Sequence, residues 1–541
     1  MRRWILSLRQ KRSIWIIILP AVFWVFLEAA YAADTLPADV PLKKRSEIIN
    51  ERLDELEVNV APERLSETPP QNEWKLSLED CTRLVLGNNF NIKVSYLNYD
   101  TSHRDITKEE AVFDPDFTFG GSIARTESPS ASETSPSRGE AVSWNAGMTQ
   151  KVPWTGGTYA LSFDHDRSGR KPALHSYTGD FGVDVTQPIL AGFGPDVTQA
   201  TLRISRNNFN IAYWDLKSQL ISRVTDAQVA YWEILKLQGE LSAKNLAFQQ
   251  ALDLVEQNKK EMSLGKRTYT DVLQAEATSA SREEDVIRAQ SALEAQEDAL
   301  KKLLSVRDFE VWNQKIRVAD TIDPEFKPVP VELPWCLETA FKKRPDYQRA
   351  IEKLKNEKIN LMLAKNDLLP DLSFNFGYTL NSATNNGDTL KELFRGNYPN
   401  WDVGLAFSMP WLYRTEIAGY NQKLNALRQR QLELEDLKLQ IIQEVRGAKR
   451  DLDTNVKRVQ AAQLAYVLQS QKVEAETKKL SLGISTSFEV LEFQEDLVNS
   501  SVARVRAIAD YHESVIRLWQ TLGITLEQNG VVFDEAQKAD A

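Results

Sequence analysis

The chain has 541 residues, of which 42% are hydrophobic and 26% charged, and its formal net charge is -10. That balance belongs to a folded chain rather than a disordered one. It also excludes a nucleic-acid partner, whose phosphates demand clustered Lys and Arg. Only Cys81 and Cys336 are present, so neither a disulfide scaffold nor a cysteine-ligated zinc site can be built.

The N-terminus carries Arg2, Arg3, Arg9, Lys11 and Arg12, then an apolar run from Ile14 to Leu27, then Ala30-Tyr31-Ala32. Basic segment, apolar segment and small-x-small site together predict a signal peptide over residues 1–32. The apolar run is shorter than the ~20 residues that a membrane helix needs. Removal of the signal would leave a net charge of -14. Beyond it no apolar stretch is long enough for a membrane helix, so entry into a bilayer requires a closed β-barrel. Residues 33–73, with Pro62, Pro69 and Pro70, are predicted to form a loosely structured N-terminal arm with one short helix.

The rest of the chain repeats itself. Phe113-Asp114-Pro115-Asp116-Phe117 matches Leu368-Leu369-Pro370-Asp371-Leu372 at an offset of 255, which also places Cys81 on Cys336. Trp144 and Pro153-Trp154 match Trp401 and Pro410-Trp411 at 257. Ser263-Leu264-Gly265 and Asp271-Val272-Leu273 match Ser481-Leu482-Gly483 and Glu489-Val490-Leu491 at 218. Three anchors in one order define a tandem duplication, 74–320 and 331–525, followed by a tail, 526–541. The fall in offset from 255 to 218 makes the first copy 37 residues longer.

Each copy predicts the same elements in order. A helix of ~33 residues opens it (79–111 and 335–367). A β segment follows (115–190 and 371–410). A very long helix and a return helix close it as a coiled-coil hairpin (197–304 and 414–521). No proline occurs between Pro195 and Pro324 or after Pro410, which leaves runs of 128 and 131 residues free for those hairpins. Leu220, Val224, Ala227, Tyr231 and Ile234, and again Ile441, Val445, Ala448 and Leu452, step by fours and threes, the seam of side-by-side helices.

The β segments alternate. Leu372, Phe374, Phe376 and Tyr378, then Trp401, Val403, Leu405 and Phe407, fall on one face, with small and polar residues between them. Runs of about ten such residues have the length of tilted membrane strands. In the first copy Phe117, Phe119, Phe181 and Val183 show the same pattern. Two more candidate strands, 142–152 and 158–166, lie between them. Two strands per copy give four per chain, too few to enclose a lumen, so closure needs several chains. If the extra pair joins the sheet, each chain supplies six.

This arrangement resembles the TolC-type outer-membrane efflux and secretion channels. The carriers are the duplicated layout, the two Pro-Asp entries into β structure, the Gln187-Pro188-Ile189-Leu190 exit, and the two Leu-Gly-x-x-Thr/Ser turns with Asp/Glu-Val-Leu. The resemblance implies a mainly α fold with a membrane β-barrel portion, built as a homotrimeric channel with 12 strands as its common count. It implies a porin-like exit duct of a tripartite efflux pump or type I secretion system. Its partners would be a periplasmic adaptor (membrane fusion) protein, an inner-membrane pump or ABC exporter, and outer-membrane lipid. By the same resemblance the two hairpin tips form the periplasmic entrance. The implied constriction is Asp271, Glu489 and Glu492 with Arg267, although the family more often has Asp where Glu489 and Glu492 stand. The implied adaptor-docking positions are Gly265, Lys266, Arg267, Thr268, Val272, Leu273, Gly483, Ser485, Thr486, Val490 and Leu491.

Catalytic signals are lacking. His103, His165, His175 and His512 form no HExxH pattern, Gly192-Phe193-Gly194 lacks the third glycine of a dinucleotide loop, and there is no GxxxxGK[ST]. The sequence therefore predicts no enzyme, no cofactor and no resident metal. A coiled-coil or adhesin-like surface protein is the competing class, and it has no need of the aromatic alternation in 371–409.

Overall fold

The computed structural model describes residues 73–128, 137–170, 176–265, 268–319, 328–385, 387–482 and 484–531. Residues 1–71 and 72–541 form separate units. The leader, nearly all of the N-terminal arm and most of the tail lie outside the described residues.

The second unit begins with β1 (Glu73–Leu76), α1 (Leu78–Asn88) and α2 (Phe90–Glu110). Ser77 caps α1 in a reciprocal box with Asp80. The single opening helix expected here is two helices. Asn89 is extended, accepts from the N–H groups of Asn91 and Ile92, and donates to the Leu303 carbonyl. The second copy breaks at the matching place, between α5 (Leu333–Lys343) and α6 (Pro345–Asn366), labels that follow chain order below. There the cause is visible in the sequence: Pro345 has no N–H and bars Arg344 from the helical region.

Four strands follow: β2 (Asp116–Ser128), β3 (Ser137–Lys151), β4 (Thr158–Arg170) and β5 (Ser176–Pro188). Then come the long α3 (Ala200–Ser263), its return helix α4 (Tyr269–Leu303), and β6 (Lys315–Val318), which pairs in parallel with β1. After α5 and α6 the described residues of the second copy form two strands, β7 (Asp371–Thr384) and β8 (Pro399–Ser408), with the short α7 (Thr389–Arg395) between them. It ends with α8 (Arg414–Ser481) and α9 (Ser487–Leu522). At 1.5 Å per residue α3 and α8 are each ~100 Å long.

The sheet is antiparallel with the order β2-β3-β4-β5-β7-β8. The extra pair therefore belongs to it, and the chain contributes six strands rather than four. The extra length of the first copy amounts to one further strand pair: four strands precede its long helix, against two in the second copy.

The core of each copy lies along the predicted seam. Val224, Ala227, Tyr231 and Ile234 are fully buried beside Cys81 and Leu300; Ile441 and Val445 are fully buried beside Cys336 and Leu522. Both cysteines are free thiols. Burial, with Asp80 nearby, pushes the Cys81 thiol up to about 12, which leaves it unreactive.

The two hairpins pack through α3 and α9. Trp232 stacks on His512 at 3.9 Å, and Arg506 pairs with Glu240. Gly239 permits the close approach: a Cβ there would lie 2.7 Å from Cγ1 of Val505. Alanine at 239 gains about 1 kcal/mol of helix propensity. It collides, however, with a valine that has little rotamer freedom, and overpacking of this kind costs about 1–3 kcal/mol. Gly239→Val is expected to lower the urea midpoint clearly, and Val505→Ala in the same chain to recover most of the loss. An unchanged midpoint in the single variant would refute this contact.

Candidate functional site: the sheet faces and the hairpin tips

The register decides what each sheet face carries. Phe117 lies opposite Met148, Met148 opposite Leu161, Leu161 opposite Val183, Val183 opposite Tyr378, and Tyr378 opposite Trp401. Phe119 leads by the same route to Phe181, and Phe376 pairs with Val403, Phe374 with Leu405 and Leu372 with Phe407. All twelve residues predicted to face lipid thus share one face. Phe117, Phe119, Trp401 and Leu405 are each about 70–80% exposed, an apolar surface that water does not favour.

The opposite face carries carboxylates. Asp164 pairs with Asp180 and with Asn145, and Asp184 lies opposite Gly377, which lies opposite Asp402. A Cβ at Gly377 would meet Asp402 Oδ1 at 2.4 Å and Asp184 Oδ1 at 3.3 Å, so the glycine leaves room for two acids side by side. Sequence reasoning found the small and polar character of this face in β7 and β8. It did not find the acids of β4 and β5, although their alternate spacing, Asp164 and Asp166, Asp180 and Asp184, was the available signal.

At the first tip α3 ends on Leu264, and Gly265 turns the chain at φ +75°, its N–H donating to the Met262 carbonyl. Thr268 then caps α4. The Asp271 carboxylate accepts from the Thr268 N–H at 2.9 Å and from its hydroxyl at 2.8 Å, while the Asp271 N–H donates to that hydroxyl at 3.3 Å. The second tip repeats the box. Glu489 accepts from the Thr486 N–H at 3.0 Å, the Thr486 hydroxyl at 3.2 Å and the Ser485 hydroxyl at 2.9 Å. Asp271 and Glu489 are therefore the third residues of their helices and hold their turns closed. Glu492, one turn further on, is exposed. Lys266, Arg267 and Gly483 lie outside the described residues.

The Thr486 N–H, with the Ser485 and Thr486 hydroxyls, holds the Glu489 carboxyl below the ordinary glutamate range. A depressed folded-state value stabilises the turn above the unfolded pKa, and that contribution is lost as pH falls through the lowered value. Amides at the start of α9 are expected to exchange faster on acidification, after correction for intrinsic rates. Glu489→Ala should remove that dependence, and a pH response surviving the substitution would count against the box.

A family model described as outer membrane efflux protein matches residues 82–306 and 336–524. The chain belongs to the outer membrane efflux protein family. Over 311 residues, 57% of this chain and 69% of the relative, it is 22% identical to the outer membrane protein TolC of Vibrio cholerae. Its fold is similar to that of the Campylobacter jejuni CmeC outer membrane channel, with a TM-score of 0.63 and 17% identity over 85% of this chain and 88% of that one. It is also similar to VceC of Vibrio cholerae, with a TM-score of 0.60 and 15% identity over 82% and 96%.

Outer membrane efflux proteins sit in the outer membrane and extend into the periplasm, and so does this one. Its hairpin tips then differ in detail from what the sequence implied. Val272 and Val490 are only 4% exposed. Buried directly after the capping acid of each return helix, they offer little surface to a partner. Gly265, Thr268, Leu273 and Thr486 are exposed, whereas Ser485 and Leu491 are half-buried. The apolar surface of the tips comes from residues the sequence reading passed over: Leu264, Tyr269, Leu482, Ile484 and Phe488, with Leu482 and Ile484 each 73% exposed. Their signal was present in the repeat, which aligns Leu264 with Leu482.

Proposed function

We propose that three copies of this chain close their sheets into one membrane barrel and their hairpins into a periplasmic tunnel. The homotrimer is the outer-membrane exit duct of a tripartite efflux pump or type I secretion system. It conducts passively what an inner-membrane pump or ABC exporter and a periplasmic adaptor deliver.

The observation that carries this reading is the six-stranded sheet with one exposed apolar face, one acidic face and two edges, β2 and β8, in a chain of the outer membrane efflux family. A single six-stranded sheet cannot enclose a lumen, and its edges require partners in a bilayer. The apolar face supplies the lipid contact, and the acidic face the water-filled side. The exposed Leu482, Ile484 and Phe488 suit the helices of an adaptor, as do the exposed Thr486 on the same tip and Leu273 on the first.

At the entrance Glu492 and Glu489, with Asp271 and Arg267, form the constriction. Three chains place like charges around one axis, and such rings favour cations. Glu489→Gln keeps the capping geometry while removing the charge, so the pair Glu489→Gln and Glu492→Gln tests the ring without melting the turn. Cation preference in planar bilayers should fall. Preserved selectivity in the double variant would overturn the constriction, and a protein recovered as a soluble monomer would overturn the channel.

A further inference from the structure

The short helix between β7 and β8 is unusual in where it lies. Its Thr389 hydroxyl is 3.2 Å from Nδ1 of His165. A Cβ at Gly179 would lie 3.6 Å from the Thr389 Cβ, and one at Gly387 3.9 Å from the Tyr177 ring. His165, Gly179 and Tyr177 share the sheet face of Phe163 and Phe181, and Trp144 packs against both Phe163 and His165. Helix α7 is therefore folded over the apolar face, not over the acidic one. It sits near the strand ends remote from the periplasmic helices, three residues below Ser168 on β4 and a similar distance below Ser176 on β5.

Its three stripes differ. Thr389 and Leu393 are each 1% exposed and face the sheet. One step round, Leu390 and Phe394 are 49% and 80% exposed. One step further, Lys391 and Arg395 are exposed as well. Arg395 is held by Glu392 at 2.8 Å, and Asn397 donates to the other oxygen of Glu392. Tyr398, just beyond the helix, is exposed too. A helix that packs one stripe on protein, offers a second apolar stripe sideways and keeps a basic stripe outermost matches the boundary between acyl chains and headgroups.

We propose that α7 is a membrane-interface anchor: Leu390 and Phe394 enter the extracellular leaflet beside the apolar band of the barrel, while Lys391 and Arg395 remain among the lipid headgroups. The patch extends an apolar face that already needs lipid, so the occupant is lipid rather than an adaptor, which approaches from the opposite end of the molecule. The anchor fixes the depth of the barrel and holds the β7–β8 connection away from the exit, leaving the mouth of the duct open. The proposal rests on the apolar face being the lipid face.

The native thiols make the test clean, since Cys81 and Cys336 are both buried. Phe394→Cys, in the full chain, is labelled with bimane and reconstituted into vesicles of phosphatidylethanolamine and phosphatidylglycerol. Phe119→Cys on the band and Ile484→Cys at the tip are treated alike. The expected result is several-fold stronger quenching at 394 by nitroxide lipid than by aqueous iodide, as at 119 and opposite to 484. Iodide quenching at 394 with lipid quenching at 119 overturns the anchor and leaves the channel standing. Iodide quenching at both overturns the lipid face itself. Protection from both quenchers at 394 means that a neighbouring copy covers the patch, and also overturns the anchor.

Discussion

Arginine at Phe376 is expected to abolish the membrane-assembled oligomer, and arginine at the adjacent Asn375 to leave it intact. The two residues are consecutive on β7 and point to opposite faces. Phe376 pairs with Val185 and Val403 in the middle of the apolar band. A charge at the midplane of a barrel costs about 2–4 kcal/mol. Three copies multiply that cost in a trimer, against a net stability that is small for any fold. Asn375 lies between Thr186 and Gly404 on the face of Asp184 and Asp402, and Gly404 leaves the neighbouring space open. Arginine there adds a cation to an acidic, wetted surface. Its expected effect is a lower cation preference with normal assembly. The measurement is the amount of heat-modifiable oligomer in purified outer membranes for each variant. Equal loss in both, or in neither, would mean that the two faces do not divide lipid from water.

That division was legible in the sequence because strand periodicity is so strict. In β7 and β8 large apolar residues alternate with Ser, Asn, Gly and Asp, and a register shift by one residue would turn the whole set over. The strands β3 and β4 carried a weaker version. Between Val142 and Met148 the apolar side is Val, Trp, Ala and Met, and between Phe163 and Arg167 it passes through His165 into charge. Their existence could be read, but pairing is a tertiary property, and only the register shows that they lie inside the sheet rather than beside it.

The helices show the converse. Heptad spacing located α3 and α8 and their seams, since burial along a seam is what that spacing encodes. No such spacing locates the breaks in the opening helices: Pro345 marks the one at Arg344, whereas no proline marks the one at Asn89. At the tips the acids carry a local signal as well as a charge. Thr268-x-x-Asp271 and Thr486-x-x-Glu489 are capping boxes by spacing alone, so the local duty of these acids was visible. The burial of Val272 and Val490 was not, as nothing in a five-residue turn says which apolar side chain it folds over.

The exit of the duct is expected to be wider than a twelve-stranded barrel allows. A trimer with six strands per chain closes eighteen strands, and barrel diameter grows roughly linearly with strand number. At about 4.8 Å per strand and ~40° tilt, six strands span an arc of roughly 38 Å and four strands roughly 25 Å. The helices beneath set the arc to be matched. At the level next to the sheet α2, α3, α6 and α8 pack side by side, and toward the tips the order becomes α4, α3, α9 and α8. Four helices at 8–10 Å spacing cover roughly 32–40 Å. Six strands therefore join four helices without a step, and β3 with β4 supply the difference. Electron cryo-microscopy of the trimer in nanodiscs should show a ring of eighteen strands, about half again as wide as a twelve-stranded barrel, with roughly twice its cross-section. Polymers added from the extracellular side should enter it at sizes that a twelve-stranded exit turns away. A deletion that removes β3 and β4 preserves strand polarity, since β2 and β5 run in opposite directions. It should give a twelve-stranded ring and restore the smaller polymer cut-off. A twelve-stranded ring in the intact protein, with β3 and β4 lying outside it, would overturn the wide exit while leaving the trimer and its tunnel untouched.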